Sequence, residues 1–110
     1  MFVIPSDIAK ELLELTQTNR KGVEALFDAE THLAQAEYDL DKTEAQAFLD
    51  ATGSVAERQA RAKLLAADAR FARDLAKAQV NRVRTKIRGI ESEIMAQATM
   101  SKIMQAEMKL

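Results

Sequence analysis

The residues best suited to chemistry are cations in the second half of the chain. Residues 80–88 hold four Lys or Arg side chains and no acid. At helical spacing these cations form two rows, one of which extends back to Arg73. Closely spaced cations suit a nucleic-acid backbone because they attract phosphates whatever the base sequence. The candidate nucleic-acid-binding residues are Arg73, Arg82, Arg84, Lys86 and Arg88.

Two alternatives to nucleic-acid binding remain for these cations: they form a solvated helix face, or they form a docking surface for an acidic protein. No aromatic residue interleaves with the cations of residues 80–88, so stacking on bases, as single-strand binders use it, is not visible. Any binding to nucleic acid is therefore expected to be sequence-independent and sensitive to salt.

Signals for enzymatic chemistry are poor. The chain has one His, His32, and no Cys. Asp39 with Asp41, and Glu91 with Glu93, are two residues apart, so their side chains diverge on a helix and make no metal site. The sequence contains neither a Gly-rich phosphate loop nor a zinc-binding HExxH pair. We predict a non-enzymatic protein with no catalytic residue, metal or cofactor.

The elements that position the cations follow from charge and composition. Residues 1–52 hold four Lys/Arg and eleven Asp/Glu, whereas residues 53–110 hold twelve and six. Ala, Glu, Lys, Leu, Arg and Gln dominate, which is typical of long helices and coiled coils. The opposite charges of the two halves predict that an acidic helix pairs with a basic one.

The junction of the two halves carries a specific turn signal. Gly53 suits the residue after a helix because it tolerates a left-handed backbone. Ser54 and Glu57 have the spacing of a capping box that begins a new helix. We predict an all-α single domain over residues 1–110: an antiparallel two-helix coiled-coil hairpin with a short N-terminal helical segment. The predicted helical segments cover about 7–18, 23–52 and 55–104, and residues 16–22 are a candidate kink or break.

Three-four spacing of apolar residues predicts the seam between the two helices. In the acidic helix the seam members are Leu26, Ala29, Leu33, Ala36, Leu40, Thr43 and Ala47. In the basic helix they are Val55, Arg58, Ala62, Leu65, Ala69, Ala72, Ala76, Val80, Val83, Ile87, Ile90 and Ile94. This assignment inserts one extra residue between positions 76 and 80, where the supercoil would unwind locally.

Charged residues beside the seam predict the register. Three acid–base pairs, each with residue numbers that add to 107, would lie opposite one another in an antiparallel hairpin. Such pairs contribute more to the choice of helix orientation than to the stability of the fold. The predicted pairs are Glu44 with Lys63, Glu37 with Arg70, and Glu30 with Lys77.

An apolar flank, Leu64, Phe71 and Leu75, lies beside the predicted seam and would stay wet on a lone hairpin. Either the N-terminal segment folds back over it or another copy of the protein covers it. Met100 and Met104 belong to a Met-rich C-terminal stretch. This stretch is either bundle core or a frayed tail, or it contacts a partner, because Met side chains adapt to irregular surfaces. We predict that these five residues contact a partner or a second copy, in a homo-oligomer that forms a helical bundle.

The stretch from Leu49 to Leu110 resembles small helical proteins encoded by tailed bacteriophages. The features that carry the resemblance are the turn Gly53-Ser54-Val55-Ala56-Glu57-Arg58 and its continuation Gln59-Ala60-Arg61-Ala62-Lys63, the long Ala/Arg/Lys helix, Ile90-Glu91, and the closing Ala106-Glu107-Met108-Lys109-Leu110. Some of these proteins are similar to UvsY-type recombination mediators. The resemblance implies a helical oligomer that binds single-stranded DNA and helps to load a recombinase.

This sequence departs from the mediators in one respect. The mediators carry basic residues just before the turn glycine, but residues 45–50 here include no cation. If the protein binds DNA, the binding surface is therefore expected on the second helix.

The leading hypothesis is a phage-type replication or recombination accessory protein that binds the backbone of single-stranded DNA. The alternative is a protein–protein interaction module, an adaptor or inhibitor of a host or phage protein, that docks through an exposed apolar helix face. No apolar run approaches the roughly 18 residues that a membrane span needs, and no signal peptide is visible. We expect a cytoplasmic protein, in a bacterial host cell if phage-encoded, that does not bind membranes.

Overall fold

The computed structural model describes residues 5–109, and within this range it holds three α-helices and no strand. The helices are α1 (Pro5–Asp50), α2 (Val55–Leu65) and α3 (Ala67–Met108). The all-α prediction is confirmed for these residues, while residues 1–4 and 110 of the predicted domain lie outside the described range. The chain forms two compact units. The described part of unit 1 is residues 5–26 and 83–109, and unit 2 is residues 27–82.

The predicted turn is present in unit 2. Gly53 has a φ of 108°, a left-handed conformation that only glycine adopts without strain. Ser54 is the N-cap of α2, and its Oγ accepts a hydrogen bond from the Glu57 backbone N–H at 3.2 Å. In unit 2 the segments on either side of this turn pair as an antiparallel hairpin, as the sequence predicts.

Arg58, at the start of α2, contacts Phe48 at the end of α1. Its Nε and Nη2 donate hydrogen bonds of 3.3 and 3.1 Å to the Phe48 carbonyl oxygen. Its guanidinium carbon also lies 4.4 Å from the centroid of the Phe48 ring. The last turn of α1 has no basic residue of its own, so Arg58 supplies the cation that stabilises a helix C-terminus.

α1 continues through residues 16–22, where the sequence suggests a kink or break. The Thr16 and Thr18 hydroxyls donate to the carbonyl oxygens of residues 12 and 14, at 2.8 and 2.9 Å, which accommodates polar β-branched residues inside a helix. Gly22 has a packing role: a Cβ built there would lie 3.0 Å from Ile87 Cγ1. The glycine therefore marks a close approach of α1 and α3 in unit 1, and does not end a helix.

The N-terminal segment of the prediction belongs to α1, and it packs in unit 1 with residues 83–109. Ile8 is fully buried, and Leu12 and Leu15 are half-buried. This face agrees with the apolar row that the sequence assigns to residues 8, 12 and 15. The segment is therefore part of the first long helix.

The seam of unit 2 agrees with the prediction on α1 except at one position. Ala29, Ala36, Leu40 and Ala47 are buried. Thr43 is exposed, while its neighbour Glu44 is half-buried.

On α2 and α3 part of the predicted seam is wrong. Leu65 and Ala72 are exposed, and Ala66 is completely buried in their place. The inward-facing residues of this part of unit 2 are Ala62, Ala66, Ala69, Arg73, Ala76 and Val80. This set has an unbroken four-three spacing, so the extra residue predicted between 76 and 80 is absent. A small side chain such as Ala66 lets the helices approach closely, and the predicted phase would have placed Leu65 there.

Ala66 also interrupts the helix predicted over residues 55–104. Its backbone angles are φ −90° and ψ 3°, and it separates α2 from α3. The hydrogen bonds continue across it, because the Ala66 N–H donates to the Ala62 carbonyl at 3.0 Å and the Arg70 N–H donates to the Ala66 carbonyl at 2.9 Å. The interruption is thus a one-residue distortion.

The predicted pair of Glu37 with Arg70 is wrong, because Arg70 Nη2 lies 3.6 Å from Glu44 Oε2. Helical side chains lean towards the N-terminus of their own helix. Arg70 on α3 therefore leans towards the turn, whereas Glu44 on α1 leans away from it, and the two meet although their Cα atoms are not level. The sequence prediction paired oppositely charged residues only when their Cα atoms would stand at the same height along the two helices.

Among residues 5–109, no helix combines the length and apolar character that a membrane span needs.

Candidate nucleic-acid interface

The contact between Gly22 and Ile87 sets the level of the cations in unit 1. Since these two residues touch, Arg20 and Lys21 of α1 stand at the level of the cations that flank Ile87 on α3. All of these cations are exposed. We define the basic cluster as Arg20, Lys21, Arg84, Lys86 and Arg88, all within unit 1. The sequence hypothesis did not include the two α1 members, which the antiparallel pairing places at the same level as the others.

The α3 members of the basic cluster lie on two sides of the helix. Arg84 and Arg88 are four residues apart and share one side, whereas Lys86 lies nearly opposite both. The nearest acids along the sequence are Glu24 on α1 and Glu91 on α3. Five cations against two acids give this part of unit 1 a positive surface.

Arg73 and Arg82, the other two predicted binding residues, belong to unit 2. Arg82 is exposed. Arg73 is half-buried at a seam position, and its Nε lies 2.8 Å from Asp74 Oδ1. Arg73 therefore has a carboxylate neighbour, which the adjacent residue supplies. We leave Arg73 out of the candidate interface.

The apolar flank of the sequence hypothesis remains on the surface. Leu64 is 72% exposed, Phe71 65% and Leu75 56%. The N-terminal part of α1 packs in unit 1 and leaves this flank uncovered. Of the two coverings considered, folding back of the N-terminal segment does not occur.

The two predicted methionine contacts differ in their surroundings. Met100 is 45% exposed, whereas Met104 is half-buried on the inward side of α3 in unit 1. Met95, Ile103 and Met108 are also exposed. The C-terminal part of α3 therefore presents an apolar surface to which Met100 contributes more than Met104.

Other features of the described residues offer less to a ligand. A shallow groove of about 620 Å³ in unit 2 is lined by Glu44, Phe48 and Lys63 among others, and it is open to solvent. His32 is exposed. Within residues 5–109, no group of three or more His, Asp or Glu side chains is placed to hold a metal ion.

Comparison with known proteins identifies no relative: no protein-family model matches the chain, and neither the curated proteins nor the solved structures include a significant match.

Proposed function

We propose that this protein is a non-enzymatic accessory factor of phage-type replication or recombination that holds the backbone of single-stranded DNA. The observation that carries the proposal is the contact of Gly22 with Ile87, which places the five exposed cations of the basic cluster at one level along unit 1. The resemblance of residues 49–110 to small phage-encoded helical proteins supports the biological setting.

The binding would be electrostatic. Each cation that neutralises a phosphate releases condensed counterions, so affinity falls as salt rises. For a single strand the logarithmic slope is about −0.7 per phosphate contact, and four contacts give a slope of about −3. Cations on both sides of α3 would follow a flexible strand more readily than a rigid duplex. Without aromatic side chains among the α3 cations, no base preference is expected.

The test is fluorescence anisotropy of a labelled single-stranded oligonucleotide, titrated with protein at low and at physiological salt. We expect binding with the steep salt dependence given above. The double reversal Arg84→Glu/Arg88→Glu should abolish binding while far-UV circular dichroism shows unchanged helicity. Retained binding by that variant would overturn the assignment of the interface.

A matched control separates local from overall charge. Lys102→Glu/Lys109→Glu changes the net charge by the same amount, at exposed positions of the same unit. It should reduce binding far less than the double arginine reversal. Equal loss in the two variants would mean that only the net charge of the chain matters.

A second candidate function is docking of a host or phage protein on the Met-rich end of α3. The exposure of Met95, Met100 and Met108 favours it, because methionine side chains repack against irregular surfaces. A discrete protein retained by the wild type and lost in Met95→Glu/Met108→Glu, with no retention of oligonucleotide, would favour this function over DNA binding.

A further inference from the structure

The outer side of α2 and α3 in unit 2 carries a second uncharged row. It faces away from the seam, and its members are spaced by four, three, four, four and three residues, like a coiled-coil seam. All of them are exposed. We call it the α3 row: Ala60, Leu64, Ala67, Phe71, Leu75 and Ala78. A helix with apolar residues on two sides normally packs against two neighbours.

α1 carries a corresponding row within the same unit. Its members are also exposed and uncharged, and their spacing is four, three, four, seven and four residues. Asp41 and Lys42 stand where one further member would fall. We call it the α1 row: Phe27, Thr31, Ala34, Tyr38, Ala45 and Leu49. Both rows contain large and small side chains, so the large residues of one helix can pack beside the small residues of another.

The charges around the two rows are opposite. Residues 27–50, which hold the α1 row, contain seven Asp/Glu and one Lys. Residues 55–82, which hold the α3 row, contain seven Lys/Arg and three Asp/Glu. A pair of α1 rows would place acid against acid, and a pair of α3 rows would place base against base. Only an α1 row against an α3 row combines apolar contact with attraction.

We infer that a second copy of this chain docks on unit 2, with the α1 row of one copy against the α3 row of the next. This contact is heterologous, since two different surfaces meet. Each added copy leaves one α1 row and one α3 row free at the ends, so assembly continues until a ring closes or a chain of copies forms. The inference rests on unit 2 and does not depend on DNA binding.

The test is a mixing experiment followed by light scattering and sedimentation velocity, without nucleic acid. One variant, Phe27→Glu/Tyr38→Glu, disables the α1 row. The other, Leu64→Glu/Phe71→Glu, disables the α3 row. All four positions are exposed, and Glu is a good helix former, so far-UV circular dichroism should show unchanged helicity in both variants.

We expect the wild type to exceed the 12.2 kDa mass of one chain. Each variant alone should be a monomer because it lacks one of the two surfaces. Mixed in equal amounts, the variants should form a dimer of twice the chain mass, because each supplies the row that the other lacks. The control Gln79→Glu, an exposed position outside both rows, should keep the wild-type mass.

Three outcomes would overturn the inference. A wild type that stays monomeric over a wide concentration range would mean that the rows do not bind a second copy. A variant that keeps the wild-type mass would show that its row takes no part. Two monomeric variants that fail to combine on mixing would point to an isologous contact.

Discussion

Units 1 and 2 use the same antiparallel pairing but different side chains. Eight of the ten buried hydrophobic residues in the described range lie in unit 2, and six of those eight are Ala. The two buried residues of unit 1 are Ile8 and Ile87. A single facing helix can cover the methyl group of an Ala side chain completely. Two helices are therefore enough to bury a seam of small residues.

The seam of unit 1 contains larger side chains that two helices do not cover. Leu12, Leu15, Ile90 and Ile94 are only half-buried although they point inward. The single facing helix does not cover these four side chains fully, and in most folds a third element covers the remainder. Unit 1 therefore gains less from apolar burial per residue than its composition suggests.

Unit 1 also contains two unsatisfied hydrogen-bond acceptors. Asn19 Oδ1 and Gln97 Oε1 are buried without a hydrogen-bond partner. Each buried acceptor of this kind costs about 1–3 kcal/mol. The comparison teaches that the Ala-rich unit is the better-packed one, although its side chains are smaller.

The largest expected effect compares one substitution in both units. Leu40→Ala removes a side chain that is 5% exposed in unit 2 and should lower the free energy of unfolding by about 2–5 kcal/mol. Leu12→Ala in unit 1 should cost about half as much, because Leu12 is already partly in water. Urea denaturation followed by far-UV circular dichroism measures both. Equal losses would show that the seams are equally well packed.

The next effect concerns the turn that closes unit 2, which has no counterpart among the described residues of unit 1. Arg58→Met keeps the length of the side chain but removes both hydrogen bonds to the Phe48 carbonyl. The free energy of unfolding should fall by about 1.5–3 kcal/mol. Arg61→Met, at a nearby exposed position, serves as the control and should change it by less than about 0.5 kcal/mol. A loss in Arg58→Met no larger than in the control would mean that Arg58 does not hold the turn.

The smallest expected effect concerns the two helical glycines of unit 1, Gly22 and Gly89. A methyl group at Gly89 meets no atom within 4 Å. Gly89→Ala should therefore raise the free energy of unfolding, measured by thermal denaturation, by about 1 kcal/mol through helix propensity. Gly22→Ala gains the same propensity but crowds Ile87. It should be at least about 1 kcal/mol less favourable than Gly89→Ala. If the two variants gain equally, the helices do not approach closely at Gly22.

Local signals were reliable predictors where they depend on backbone chemistry. The turn at Gly53 and Ser54 follows from a left-handed glycine and a capping hydroxyl, both of which act within a few residues. The α1 seam through Ala29, Ala36 and Leu40 follows from the three-four spacing of these residues.

The same reasoning failed on α2 and α3, where two adjacent apolar residues compete for one seam position. Leu65 and Ala66 both fit a helical pattern, and hydrophobicity alone favours Leu65. Close helix packing selects Ala66, and this preference depends on the distance between helices. Arg70 likewise pairs with Glu44 and not with Glu37, the acid predicted to be level with it, because of the direction in which its side chain leans.

For the candidate interface, the sequence predicted Arg84, Lys86 and Arg88 but did not point to Arg20 and Lys21 of α1. Charge, capping and helical periodicity are local properties, so the sequence by itself determined the all-helical class, the position of the turn and the opposite charges of the two halves. Only the tertiary structure decided which face of each helix is buried, that Gly22 lies against Ile87, and that Leu64, Phe71 and Leu75 stay uncovered. These features depend on how closely two helices approach, a distance that the side chains of both helices set together.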